Sequence, residues 1–234
     1  MKKLLKFVCI TLTSVMLPST FIPSVYATAF TDVSDDDWFY EDIKFLEKAE
    51  DAQYIFAEGW DMMEITAAVD YRPYEFADRA YVVRALHRFE GYLEPENAEN
   101  DTWSVMYEND RNLDSYLWAK ENGIANGYED GEFHPEYNVT REEFVAFLVR
   151  YAEYRGYDTS GRDTLERFTD ADSVSEWAYE VVSYAVHENI IRGRTETEID
   201  PGGYTTRAEA AALLRRFIEV YDLELLPIYI GFDD

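Results

Sequence analysis

"DGEFHPEYNVTREEFVAFLVRY", residues 130–151, carries the reading that decides the fold. Phe144, Phe147, Leu148 and Tyr151 follow i, i+3, i+4, i+7 spacing, the apolar stripe of an amphipathic helix. Thr140 with Glu143, just ahead of that stripe, has the form of a capping box, in which the hydroxyl and the carboxylate satisfy amides of the helix start. The stretch recurs. Ile199, Pro201, Thr206-Arg207 and the stripe Ala210, Leu213, Leu214, Phe217 repeat it 66 positions on. Pro73, Asp78-Arg79 and the stripe Val82, Ala85, Leu86, Phe89 repeat it 62 positions back, with Asp78 as the cap and Tyr81 in place of the box glutamate. Three helices with one stripe apiece predict a shared three-helix core.

A second element repeats upstream. "FTDVSDDDWFYEDIKFL" (Phe30–Leu46) matches "FTDADSVSEWAYEVVSYA" (Phe168–Ala185), each with a tryptophan, Trp38 or Trp177, opening a helix. In the middle unit only the later part survives, as "SYLWAKENGIANG" at residues 115–127, and Arg111 stands where the other units have tryptophan. Each unit therefore reads helix, loop, helix, with glycines marking the loops. In the first unit "AEGWDMMEITAAVDY" replaces the loop and adds 11 residues between tryptophan and proline, which predicts a reshaped loop and an altered or empty groove there.

Composition narrows the class. Lys2, Lys3 and Lys6 precede an apolar run from Phe7 to Leu17, and Val25-Tyr26-Ala27 ends in a small residue, the pattern of a cleaved secretory signal over residues 1–27. Cys9, the only cysteine, lies within it, so the exported chain is expected to have no disulfide and no cysteine-held metal. Without the signal, 18 basic residues face 48 acidic ones, a balance of −30 that should repel nucleic acid and anionic membranes. Outside the signal, no other stretch is long and uncharged enough to span a bilayer. The apolar run 223–232 lacks the sorting motif of a covalently wall-anchored protein, so retention on a cell would have to be non-covalent.

These motifs resemble the S-layer homology (SLH) family: Phe-x-Asp, a Trp-opened helix, Gly-Ile-x-x-Gly, Asp-Gly-x-Phe-x-Pro and a final Thr-Arg-Ala-Glu helix. The resemblance covers residues 29–221 and is weakest in the first unit. It divides the chain into the signal (1–27), three repeats (28–92, 93–157, 158–222) and a tail (223–234). It implies an all-α fold of three helix-loop-helix repeats, a pseudo-threefold spindle around a three-helix core. It also implies a non-catalytic, carbohydrate-binding anchor on the bacterial cell surface, with a pyruvylated secondary cell-wall polymer as partner and no cofactor. An alternative is a divergent member that mediates protein contacts in the envelope.

Candidate residues follow. Thr140, Glu143, Thr206, Glu209 and Asp78 are read as structural caps. Arg79, Arg141 and Arg207 sit at the first helical position, where a positive charge opposes the helix dipole by roughly 0.3–1 kcal/mol. Capping does not explain them. Either guanidinium and helix amides together grip an anion, such as the carboxylate of a pyruvate ketal, or each arginine pairs with one of the many acids. Gly127, Asp130, Gly131 and Gly193 form loops, with Gly127 and Gly131 expected at backbone angles closed to other residues. Those glycines serve either ligand approach or a tight turn. Trp38 and Trp177 could stack on a sugar, although core packing is the favoured reading, and Arg111 makes the middle position cationic. His87, His134 and His187 show no metal spacing. Asp32, Asp35, Asp36 and Asp37 lack the glycine and distal glutamate of an EF-hand and are read as helix-entry caps. No nucleophile elbow, metal motif or phosphate loop points to catalysis.

Overall fold

A computed structural model describes residues 30–47, 70–98 and 101–223. The proposed signal, the first unit's loop over 48–69 and the tail from 224 lie outside the described residues. Seven α-helices run in the described chain: α1 (Tyr40–Glu47), α2 (Arg79–Phe89), α3 (Thr102–Met106), α4 (Leu113–Glu121), α5 (Arg141–Tyr154), α6 (Tyr179–His187) and α7 (Arg207–Tyr221). Short 3-10 turns at Ala171–Ser173 and Glu176–Ala178 lead into α6. Among the described residues the protein is all-α.

The three apolar stripes are buried throughout, from Val82 to Phe89 in α2, Phe144 to Tyr151 in α5 and Ala210 to Phe217 in α7. Their last aromatic positions meet: the Tyr151 ring lies 6.0 Å from Phe89 and 5.9 Å from Phe217. Period thus became packing, because a stripe spanning about three turns can leave water only against another stripe.

Each long helix packs against the first helix of the following unit. α2 lies on α4, α5 on α6, and α7 returns to α1. The loops that precede the long helices close in the same cyclic order. Val139 N–H donates to Ala77 O at 3.0 Å, Thr205 N–H to Val139 O at 3.0 Å, and Ala77 N–H to Thr205 O at 2.9 Å. The residue before each proline, Arg72, His134 or Asp200, adopts φ between 51° and 57°, so one turn geometry recurs in all three units despite three different side chains.

This ring satisfies the helix starts. The first amide of α2, α5 and α7 donates to Tyr137 O, Gly203 O and Glu75 O, and the second to Pro135 O, Pro201 O and Pro73 O. The third goes to its own cap, Asp78, Thr140 or Thr206. In α5 and α7 Glu143 and Glu209 complete the box by accepting the cap residue's N–H at 2.9 Å and 2.8 Å. Asp32 does not cap a helix. Its carboxylate accepts the amides of Tyr71 and Arg72 across the unit, both at 2.7 Å, as Asp170 accepts those of Ile199 and Asp200. The Phe-Thr-Asp entry is therefore a clamp on the pre-proline loop.

Candidate functional site

The three first-turn arginines are buried, with 3–5% of their surface exposed. Arg141 Nε donates to Ile199 O at 2.9 Å and Nη2 to Arg192 O at 2.8 Å, while Nη1 lies 3.5 Å from Glu209 Oε1. Arg79 repeats that pattern one unit earlier, with Phe133 O at 2.9 Å, Asn126 O at 3.0 Å and Glu143 Oε1 at 3.3 Å. Arg207 Nε donates to Tyr71 O at 2.8 Å, and its guanidinium lies over the rings of Tyr71 and Tyr81. A planar fork of donors suits two carbonyls and a carboxylate held at fixed angles, which an ammonium could not match.

This geometry decides between the two readings of the arginines. The helix amides do not face an anion with the guanidinium, because neighbouring loop carbonyls and the caps already hold the first three. The side chain staples its own helix to the next unit's loop. Burial lowers the Arg141 and Arg79 pKa values, opposed for Arg141 by Glu209 and for Arg79 by Tyr128 and Glu143. Burial alone would raise the Glu209 carboxyl, but hydrogen bonds from Arg194 and the Thr206 amide, with the Arg141 charge, hold it below the ordinary value.

A groove of about 530 Å³ opens beside the Arg141 staple, lined by Trp38, Arg141, Arg192, Gly193, Arg194, Glu209, Ala212, Leu213 and Arg216. It forms where α7 meets the start of the first unit, so residues far apart in sequence share it. Arg194 crosses its floor, donating to Glu209 Oε1 at 2.9 Å, Glu209 Oε2 at 3.1 Å and Tyr204 O at 2.6 Å. Arg192 is held by Asn189 Oδ1 at 2.9 Å. Four guanidiniums against one lining carboxylate, with Asp200 paired to Arg194 beside it, leave the groove locally cationic, although the whole chain carries −27.

Trp38 and Trp177 are 61% and 53% exposed, which overturns the core reading of both. The register explains it: the next residues, Phe39 and Ala178, and then Ile43 and Val182 take the inward face. Each tryptophan is left exposed, and Trp38 lines the groove. Gly131 has φ 84°, whereas Gly127 lies outside the left-handed region. At Gly127 the constraint is space, since a Cβ would sit 2.9 Å from Glu132 O; at Gly193 it would sit 2.2 Å from Thr195 O. Asp130 accepts from His134 Nε2 at 2.7 Å and from the Glu132 amide at 2.9 Å, so it shapes the middle loop. Arg111 is exposed in a different cavity and does not join this groove.

Arg192, Arg194 and Arg216 were not among the sequence candidates. The Arg-Gly-Arg triplet around Gly193 was the available signal, but only the return of α7 onto α1 brings it to Trp38 and Arg216. Among the described residues no group of three His, Cys, Asp or Glu could hold a metal, and no helix is long and apolar enough to cross a membrane.

Comparison with known proteins places these segments. An endoglucanase of Bacillus sp. (strain KSM-635) is 26% identical over 211 residues, which is 85% of this chain and 20% of the relative. The Surface-layer 125 kDa protein of Lysinibacillus sphaericus is 29% identical over 136 residues, 57% of this chain and 10% of that protein. The Cellulosome-anchoring protein of Acetivibrio thermocellus is 33% identical over 95 residues, 40% and 20% respectively. The chain spans a fifth or less of these relatives. The S-layer homology domain family matches residues 117–145 and 167–211, from α4 into α5 and from the clamp of Phe168-Thr169-Asp170 into α7. Over those two segments the chain therefore carries S-layer homology domain sequence.

Proposed function

We propose that this chain is a non-catalytic anchor that holds to a cell-wall polymer at the cell surface, through three SLH units of which the first is divergent. The cationic, tryptophan-rimmed groove is the observation that carries this reading. An exposed indole beside guanidiniums offers a stacking face for a sugar and donors for an acidic substituent. The names of two relatives, a surface-layer protein and a cellulosome-anchoring protein, support the setting. The cyclic pairing of the joints supports the three-unit division and the pseudo-threefold spindle.

A pyruvylated polymer is the proposed ligand class, because its ketal carboxylate would sit among Arg192, Arg194 and Arg216 while the ring covers Trp38. Arg141 contributes by fixing the Gly193 loop and Glu209. Groove-equivalent positions in the other units, with Arg79, Gly127, Asp130, Gly131 and Trp177, or Arg207 and Arg111, are proposed as weaker or altered sites. Exposed charges are screened beyond a Debye length of about 8 Å at physiological salt, so a local cationic groove can hold an acidic polymer despite the net charge.

The test is retention of the purified protein on isolated cell walls, with and without chemical removal of pyruvate. Retention should fall on depyruvylated walls and in Trp38→Ala combined with Arg192→Glu. Equal retention on both wall preparations would refute the pyruvate ligand. Unchanged retention of the double variant would favour the alternative role in protein contacts within the envelope.

A further inference from the structure

The sequence holds two Asn-Gly pairs, Asn122-Gly123 and Asn126-Gly127, both in the loop that follows α4. Such a pair is chemically vulnerable, because glycine has no side chain to keep its amide nitrogen away from the carboxamide carbon of the preceding residue. The fold fixes the second glycine, since a Cβ at Gly127 would lie 2.9 Å from Glu132 O. It does not fix the residue before it, and the third unit has Arg192-Gly193 at the same place.

Asn122 is held at both reacting ends. Its Nδ2 donates to Trp118 O at 2.8 Å, and the Gly123 N–H donates to Lys120 O at 3.0 Å. Asp130-Gly131, which could close the same ring, is held likewise: the carboxylate accepts His134 Nε2 at 2.7 Å, and the Gly131 N–H donates to Tyr128 O at 2.9 Å. Asn126 differs. It is exposed, and among the described residues neither its carboxamide nor the Gly127 N–H has a hydrogen-bond partner. Only its main-chain carbonyl is engaged, accepting Arg79 Nη2 at 3.0 Å. Of these three pairs, the one left loose is the one beside the Arg79 staple.

We propose that Asn126 is a modification site, deamidating through attack of the Gly127 amide nitrogen on its Cγ. The N–Cγ bond forms as the bond from Cγ to Nδ2 breaks, and the proton lost from the Gly127 amide leaves, through solvent, with the departing group as ammonia. Water then opens the five-membered imide: its oxygen joins one carbonyl carbon, that carbon's bond to nitrogen breaks, and the new carboxyl releases a proton. Opening at one carbonyl gives aspartate, and opening at the other gives isoaspartate, in which the carbonyl that accepts Arg79 becomes a free carboxylate. Either product adds one negative charge where the third unit carries the cation of Arg192. The modified joint therefore disfavours an acidic ligand. That consequence rests on the wall-polymer reading, whereas the deamidation does not.

Peptide mapping by mass spectrometry of the full chain, incubated folded and in urea, tests the site. In the folded protein Asn126 should convert at least about tenfold faster than Asn122, which must first give up two hydrogen bonds. Conversion should be faster at pH 9 than at pH 6, because the attacking nitrogen must lose its proton. In urea the two rates should converge. Equal rates in the folded protein, or a faster Asn122, would overturn the site, and the same excess at Asn126 in urea would overturn its origin in the fold. Asn126→Asp should reduce retention on cell walls several-fold while Asn126→Gln leaves it unchanged. Full retention of Asn126→Asp, where Trp38→Ala with Arg192→Glu loses it, would overturn the charge effect. Deamidation is read without walls, so failure of the wall-polymer reading leaves that result distinct.

Discussion

The joint at Arg141 and the joint at Arg79 use the same staple on different surroundings. Both guanidiniums donate Nε and Nη2 to loop carbonyls of the next unit and turn Nη1 to a capping-box glutamate. Around them the residues diverge. At the Arg141 joint the glutamate is also gripped by Arg194, and Arg192 and Arg216 add charge to an open groove. At the Arg79 joint the equivalent of Arg194 is Tyr128, whose hydroxyl donates to Glu143 at 2.9 Å and whose ring lies 4.6 Å from the arginine carbon. The first-turn arginine is thus architectural in both, and the residues beside it decide what the surface can bind.

Breaking the staple should have the largest effect. Arg141→Leu strands two loop carbonyls and removes one of the partners of half-buried Glu209, so a loss of about 3–5 kcal/mol is expected in urea unfolding. Arg79→Leu should cost a similar amount, which checks the equivalence of the two joints. A loss below about 1 kcal/mol at Arg141, with wall binding abolished, would return that residue to a ligand role. In the core, Leu214→Ala is expected to cost about 2–5 kcal/mol by the same measurement.

Removing one cap should cost less. Thr140→Ala and Thr206→Ala each lose a hydroxyl acceptor, at about 1 kcal/mol apiece, read as a drop in thermal midpoint. Smallest is Trp38→Ala, expected within about 0.5 kcal/mol of wild-type stability, as for an exposed side chain, yet with reduced wall retention. That split between folding and binding separates the groove from the staple.

Acid adds a distinct test. His87 is buried between Ser115 Oγ at 3.0 Å and Leu93 O at 2.8 Å and stacks on Trp118 at 4.6 Å. Burial holds its imidazole below the ordinary value, opposed by the Leu93 carbonyl and nearby acids. The unfolded chain therefore takes up the proton first. The stabilising contribution is complete above the ordinary histidine value and is lost as pH falls from there through the lowered one. Unfolding free energy measured from pH 7.5 downward should show this slope, and His87→Gln should flatten it.

Much of this was legible in order of residues. The stripes from Val82, Phe144 and Ala210 named the core, since period and apolar character suffice to say which face leaves water. The caps at Asp78, Thr140 and Thr206 were legible for a local reason, that their partners lie three residues away. The tryptophans were misjudged because composition favours burying an indole, whereas register gives the inward place to Phe39 and Ala178. Asp32 was misjudged because its amides, Tyr71 and Arg72, lie about 40 residues downstream.

Sequence by itself therefore determined the helices, their stripes and the presence of an unexplained arginine at each start, all properties written within a turn or two of chain. Tertiary structure alone decided what those arginines do, and assembled the grooves. Their partners are carbonyls of the next unit, and Trp38 reaches Arg192 and Arg216 only because α7 closes the ring onto α1. Contacts of that kind depend on which loop returns to which helix, and local periodicity carries no record of it.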